Sequence, residues 1–317
     1  MRARTAVLAS AVLAFVQARM IHAVLGDVYP ESVKASFGVV LGQPHWRIYQ
    51  SRVLGPYLVD SLRHVLPSPV SAFTFVGIVA LFVAGLLACR LGNRLAGEQG
   101  AWRALLLMHG VFACLLTRPW LYIWDYLDLV VFLAFVVFVV EKRPTWWFAA
   151  LCLVGMLNHE IAMFIGLWLV IDGVLRRAWV RAGVGVACVA AGLALIDMLR
   201  SALLIEETGP KIFVDAPKAL GSSFYFTLPH NLWEAGLIVR HWDYRVLFLV
   251  IVFVFVLPVI AWWVAQRNAE WRSLALMNVA MLGSLLLFGI LIETRIYIVM
   301  IPMLVLAISA AAAPRSA

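Results

Sequence analysis

Between its charged residues this chain runs in apolar stretches that no water-soluble fold would carry. Leu129 to Val140, for example, reads LVVFLAFVVFVV without a polar atom on any side chain. Only 13% of the 317 residues are Asp, Glu, Lys or Arg, against about a quarter in a soluble domain. With 18 Phe, 13 Trp and 8 Tyr, a mean hydropathy of +0.95 and no low-complexity run, disorder is excluded as well. What remains is an all-α, polytopic integral membrane protein, in which a crossing takes about 20 apolar residues.

Reading apolar runs between charged punctuation gives about ten transmembrane helices, near 5–26, 69–89, 102–118, 122–140, 145–158, 161–175, 182–199, 246–265, 273–292 and 296–312. The chain is then one transmembrane domain over 1–317, with two long outer connections at 27–68 and 200–244. An even count puts both termini on one side. The first run resembles a secretory signal, but Gln17 and Arg19 stand where a small-residue cleavage site belongs, so it is expected to persist as a span.

The net charge of +8 reports orientation. With the N-terminus in the cytoplasm, the inner connections hold thirteen cations against Glu98, Glu141, Asp172 and Glu270, a surplus of nine. The outer side is left close to neutral, as the positive-inside rule requires. Nucleic acid need not be invoked as a partner. Cys89, Cys114, Cys152 and Cys188 lie far apart with no metal-ligand spacing, which predicts neither disulfides nor a zinc site.

The 145–175 stretch decides the parity. Read as a hairpin turning at Asn158-His159-Glu160, it keeps Arg176, Arg177 and Arg181 inside. Arms this short reach about 21 Å, less than a hydrocarbon core of about 30 Å. The polar tip should therefore be recessed, bordering an outward-opening cavity. In the first outer loop, Val33, Phe37, Val40 and Leu41 fall at helical spacing. After Gly55-Pro56, Tyr57, Leu58, Leu62, Val65 and Leu66 make a second apolar face. Both amphipathic helices are expected along the outer interface. The Pro-rich 200–244 loop reads as an irregular cap.

With orientation set, the acids become informative, because they are costly near hydrocarbon and yet gather at outer ends of spans. Asp27 ends the first span; Asp125 and Asp128, three apart, share a helical face; Glu160 stands at the hairpin tip beside Asn158 and His159; Glu293 neighbours Arg295 between the last two spans. Each has a plainer alternative. Asp27 is either catalytic or a solvated helix end. Asp125 and Asp128 either line a cavity or edge an aromatic belt formed with Trp120, Tyr122, Trp124 and Tyr126. His159 beside Glu160 reads as a hydrogen-bonded partner sooner than as a metal ligand, and Glu293 and Arg295 either act on substrate or neutralise one another. Arg47 and Arg52 could grip a lipid phosphate through paired hydrogen bonds, or ordinary headgroups. Arg19 either snorkels or bridges to an acid. Phosphate-binding glycine loops, HExxH and GxSxG are absent from the sequence.

This layout resembles the GT-C superfamily of membrane glycosyltransferases, which take sugars from polyprenyl-phosphate carriers. The shared features are an acid just after the first span, a long first outer loop with amphipathic helices, and short central helices beneath a cavity. The strings Tyr49-Gln50-Ser51-Arg52-Val53-Leu54-Gly55-Pro56, Asn158-His159-Glu160 and Glu293-Thr294-Arg295 look like those of small bacterial membrane proteins grouped with such enzymes. The chain departs from larger members in lacking an Asp-x-Asp in the first loop and a C-terminal soluble domain. The resemblance implies Asp27 as the carboxylate that activates or orients the acceptor, and Arg52 and Arg295 as holders of the carrier phosphate. It implies a polyprenyl-phosphate-linked sugar as donor, an envelope glycan, lipid or protein as acceptor, membrane lipids as partners, and a bacterial inner membrane as location. Such transfer needs a carboxylate base, for which Glu160 is the second candidate, and positive charge or a divalent cation (Mg or Mn) on the leaving phosphate. The rival readings are a transporter or flippase for a lipid-linked saccharide and a non-catalytic subunit of an envelope complex.

Overall fold

The computed structural model describes residues 3–43, 49, 51–117, 121–203, 227–241, 269–291 and 293–311. Helix is the only regular structure among them, and six helical segments are long and apolar enough to cross a membrane. The chain is therefore an all-α membrane protein. The predicted span at 246–265 lies outside the described residues.

Helix α1 (Ala3–Leu25) ends where Gly26 takes a φ of +48°, turning the chain through a short 3-10 segment into α2 (Tyr29–Val40). The amide of Gln17 on α1 donates to the His109 carbonyl at 3.1 Å, and its Oε1 meets the His109 ring, tying α1 to α4 (Pro69–Cys114). Ser68 caps α4 by accepting from the Ser71 amide at 3.1 Å, with Pro69 preset for the first turn. The helix breaks at Ala96 and Gly97, the latter at φ +65°, and folds back on itself. Only glycine permits this return: a Cβ at Gly92 would lie 2.2 Å from the Gly100 carbonyl oxygen. The predicted spans 69–89 and 102–118 are thus the two limbs of one helical hairpin.

Between these limbs and the C-terminal α11 (Ile301–Ala311) runs α5 (Ile123–Val140). Its apolar positions point in every direction, so Trp124, Phe132 and Phe135 are fully buried, as expected of a helix surrounded by others. Its start and finish define the Asp125 end and the Glu141 end of the bundle. The hairpin of α6 (Thr145–Asn158) and α7 (Met163–Leu175) forms as its sequence predicts, turning through a 3-10 segment at Glu160–Ala162. A Cβ at Gly155 would lie 2.7 Å from that of Ala162, which brings the arms together at the tip. Next comes α8 (Trp179–Leu203), packed on α7 through Gly166, Gly173 and Gly185. With 25 residues against 13 or 14, α8 continues well past the hairpin tip. α9 (Leu228–His241) is pinned to the end of α10 (Ala269–Phe288) by Asn231, whose amide donates to the carbonyls of Leu286 and Gly289, both at 2.7 Å.

Of the two helices in the first long loop, α2 departs from the expected interfacial placement. Eight residues of α2 are buried, among them Ser32, Ala35, Ser36 and Gly38. These small side chains let the helix enter the bundle, where its apolar face and its small face both find neighbours. α3 (Leu54–Arg63) buries Gly55, Pro56 and Val59, while Tyr57, Leu58 and Val65 stay exposed. Close approach to α5 decides this orientation, since a Cβ at Gly55 would lie 2.8 Å from Ile123.

Candidate functional site

At the Asp125 end, five separated stretches of sequence meet. Arg52, just before α3, donates through Nε and Nη2 to the two carboxylate oxygens of Glu160 at 3.2 and 2.9 Å. Arg200, near the end of α8, reaches the same carboxylate at 3.9 Å. It can do so because α8 outlasts the hairpin and a helical side chain leans back toward its own N-terminus. Burial disfavours the charge on Glu160, but Arg52 and then His159 outweigh it and hold the carboxyl well below its usual range. The same pairing overcomes burial at Arg52 and keeps its guanidinium charged.

The tip itself is organised from α5. His159 Nδ1 lies 2.5 Å from Asp128 Oδ2, and its Nε2 stands 4.0 Å from Glu160. Asn158, fully buried, donates from Nδ2 to Asp128 Oδ1 and to the Trp124 carbonyl, both at 2.9 Å. Asp125 accepts from the Tyr122 amide at 2.7 Å, as a carboxylate in the first helical turn does in a capping box, and from Arg295 Nη1 at 3.3 Å. Arg295 also donates through Nη2 to Glu293 at 2.7 Å. The neighbouring Thr294 hydroxyl bonds to the Leu115 carbonyl, which anchors this segment to the end of α4.

Between the two guanidiniums stands an aromatic stack. Arg52 lies over Tyr49 and Trp124, at 4.9 and 5.5 Å; Trp124 stacks on Tyr122 at 4.6 Å; and Arg295 lies over Tyr122 at 4.6 Å. The rings share the guanidinium charge through their faces and fill the space between the cations. Three buried donors at this cluster, Arg295 Nε, Trp124 Nε1 and the Ser51 hydroxyl, have no hydrogen-bond partner among the described residues. Leaving such a donor unsatisfied costs about 1–3 kcal/mol, so each would gain from a water or a polar ligand as its partner.

The structure thus joins Arg52, Glu160, His159, Asp128 and Asn158 in one network, and Arg295, Asp125 and Glu293 in a second, across the shared stack. Asp27 joins neither. It is exposed in the turn after α1, with no hydrogen bond or ion pair to these groups among the described residues. Arg47 lies outside the described residues. Sequence reasoning missed Arg200 and the stacking role of Tyr49, Tyr122 and Trp124. The signal for Arg200 was a cation near the C-terminal end of the 25-residue α8; that for the stack was the local run of aromatics around Tyr122 and Trp124, which read as a belt. The acids of the two networks are engaged by arginine, histidine, asparagine or backbone, and among the described residues no three His, Cys, Asp or Glu are grouped to hold a metal. No protein-family model, curated protein or solved structure matches the chain.

Proposed function

We propose that the protein is a GT-C-like membrane glycosyltransferase that moves a sugar from a polyprenyl-phosphate carrier to an envelope acceptor. The observation that supports this most directly is the pair of arginines, each fixed by a carboxylate and an aromatic face, beside buried donors that lack partners. A phosphate ester leaving a sugar needs such fixed positive charge as its own negative charge develops. Arg52 and Arg295 take that part, with Ser51 and Trp124 offering further hydrogen bonds. Glu160, held ionised by Arg52, is a weak proton acceptor and serves better to orient the guanidinium. The base that takes the acceptor proton is then Asp27, exposed at the same end, in keeping with the resemblance of its position. Asp125, Asp128, Asn158, His159 and Glu293 hold these groups in place.

In this reading the chain crosses a bacterial inner membrane about ten times. The Glu141 end, which carries Arg90, Arg94, Arg103, Lys142, Arg143, Arg176, Arg177 and Arg181, faces the cytoplasm, and the Asp125 end faces outward. Both termini are cytoplasmic. Supporting the even parity, α1 begins near Cys89, where Ser10 contacts it at 3.9 Å, and α11 runs away from Arg295 toward the same end.

The test is lipid mass spectrometry of the purified protein followed by incubation with candidate polyprenyl-phosphate sugars and envelope acceptors. Transfer that is lost in Arg52→Ala, Arg295→Ala and Asp27→Asn supports the proposal. Bound carrier without any product, under all conditions tried, would instead favour a transporter. Neither carrier nor product would sink both.

A further inference from the structure

The Glu141 end carries a second, independent constellation. Glu141 follows α5 directly, and its carboxylate is 6% exposed. It accepts from Arg90 Nε and Nη2 at 2.5 and 2.8 Å and from Arg143 Nε at 3.0 Å; Arg94, one turn beyond Arg90, approaches to 3.8 Å. The carboxylate is the minor partner. Burial disfavours its charge, but hydrogen bonds from Arg90 and Arg143 hold its pKa below the usual value.

The arginine side chains stay 50, 64 and 39% exposed for Arg90, Arg94 and Arg143, so each guanidinium keeps an outward face. Lys142, at a φ of +53°, adds another exposed cation on the turn. Even with Glu98 on the following turn counted, four cations face two acids. Beside them Trp146, 60% exposed, stacks on Trp147 at 4.4 Å, and Arg143 lies over Trp147 at 5.8 Å.

The tryptophans fix the depth. Trp102, Trp147, Trp179 and Trp271 all stand at or near the starts of helical segments that begin at this end. In a membrane-spanning chain, a ring of tryptophans at one level marks the headgroup region. The arginines therefore lie where lipid phosphates lie. A carboxylate that gathers guanidiniums from α4 and the α5–α6 turn also removes much of the entropy cost of assembling them.

From this we infer that Arg90, Arg94 and Arg143, gathered by Glu141 beside the Trp146–Trp147 pair, form with the adjacent Lys142 a binding site for the phosphate of an anionic phospholipid. Arginine forks suit a phosphate diester, and the exposed indoles suit the glycerol and upper acyl carbons beside it. A lipid bearing two phosphates, such as cardiolipin, satisfies more of the four cations than one bearing a single phosphate. The site stands or falls separately from the chemistry at the Asp125 end.

The test is native mass spectrometry of the full-length protein in detergent, titrated with cardiolipin, phosphatidylglycerol or phosphatidylcholine. The wild type should retain the anionic lipids selectively, cardiolipin most tightly. Arg94→Gln, which leaves the Arg90–Glu141 clamp in place, should weaken retention about fivefold, and Arg94→Gln with Arg143→Gln about thirtyfold, following about 1 kcal/mol per cation near a surface. Arg177→Gln removes an exposed arginine at the same end but away from the cluster, and should leave retention unchanged. Equal retention of phosphatidylcholine, or an equal loss in Arg177→Gln, would overturn the site in favour of diffuse attraction. Protection of the protein by inorganic phosphate alone, to the same degree as by lipid, would overturn the assignment to a lipid headgroup.

Discussion

Glu160 and Asp128 flank the same imidazole with opposite surroundings. Glu160 is partly exposed and gripped by Arg52, whereas Asp128 is buried and held by His159 and Asn158. Removing the Arg52 side chain leaves the Glu160 carboxylate short of two hydrogen bonds, and Arg52→Ala should lower stability by about 1–3 kcal/mol. The companion change Glu160→Gln should cost less when made in Arg52→Ala than in the wild type, which a double-mutant cycle of melting midpoints in detergent would detect. The pH dependence has a definite sign. Because the folded pKa of Glu160 is below the unfolded value of about 4.3, its stabilising contribution is complete above that value and is lost as pH falls through the folded one. Melting midpoints should fall below about pH 4, and Glu160→Gln should make that fall shallower. Asn158→Ala strands Asp128 Oδ1 and removes a second donor from the Trp124 carbonyl, and should lower the midpoint although it touches no charge pair directly. Of these residues, Asn158, His159 and Glu160 were legible in sequence because a polar triplet interrupts an apolar run. Their pairing was not, because Arg52 lies 108 positions from Glu160 and only packing brings it near.

At the scale of elements, glycines control how closely helices approach. A Cβ at Gly185 would lie 2.6 Å from the Gly166 carbonyl oxygen, whereas one at Gly183, two residues earlier on α8, would meet nothing within 4 Å. Gly185→Val should therefore force α7 and α8 apart and destabilise by about 1–3 kcal/mol. Gly183→Ala should be neutral or stabilise by up to about 1 kcal/mol through helix propensity. Thermal melts of the two variants, both on α8, separate packing from propensity. The segment Thr294–Met300 is a second such element: seven residues of 3-10 helix, longer than such runs usually last, entirely buried apart from Ile296. Its tighter winding sets Arg295 over Tyr122 while Thr294 is anchored to the Leu115 carbonyl. Sequence showed an apolar run there and no reason for the change of helix type. The connection between α1 and α4 behaves in the same way. The periodicity in α2 and α3 correctly marked helices, but which faces were buried depended on small residues fitting against α4 and α5.

For the whole molecule, the two ends of the bundle carry different chemistry. Arginines and tryptophans crowd the Glu141 end, while acids locked to arginines crowd the Asp125 end. If these ends face opposite sides of a membrane, single cysteines introduced in a cysteine-free background should label accordingly. A cysteine at Tyr57 or His230 should react with an impermeant maleimide applied from outside, and one at Lys142 only after permeabilisation. Labelling of position 142 from outside would reverse the proposed orientation. The sequence by itself determined that the chain is helical and built for lipid, because hydrocarbon admits only long apolar segments with internally satisfied backbone. It also determined where charges interrupt those segments, since each charge is costly enough there to need a reason. Tertiary structure alone decided which charges meet. Arg52 finds Glu160 and Arg295 finds Asp125 across an aromatic stack assembled from distant residues, because pairing follows the packing of helices in three dimensions and leaves no periodic trace along the chain.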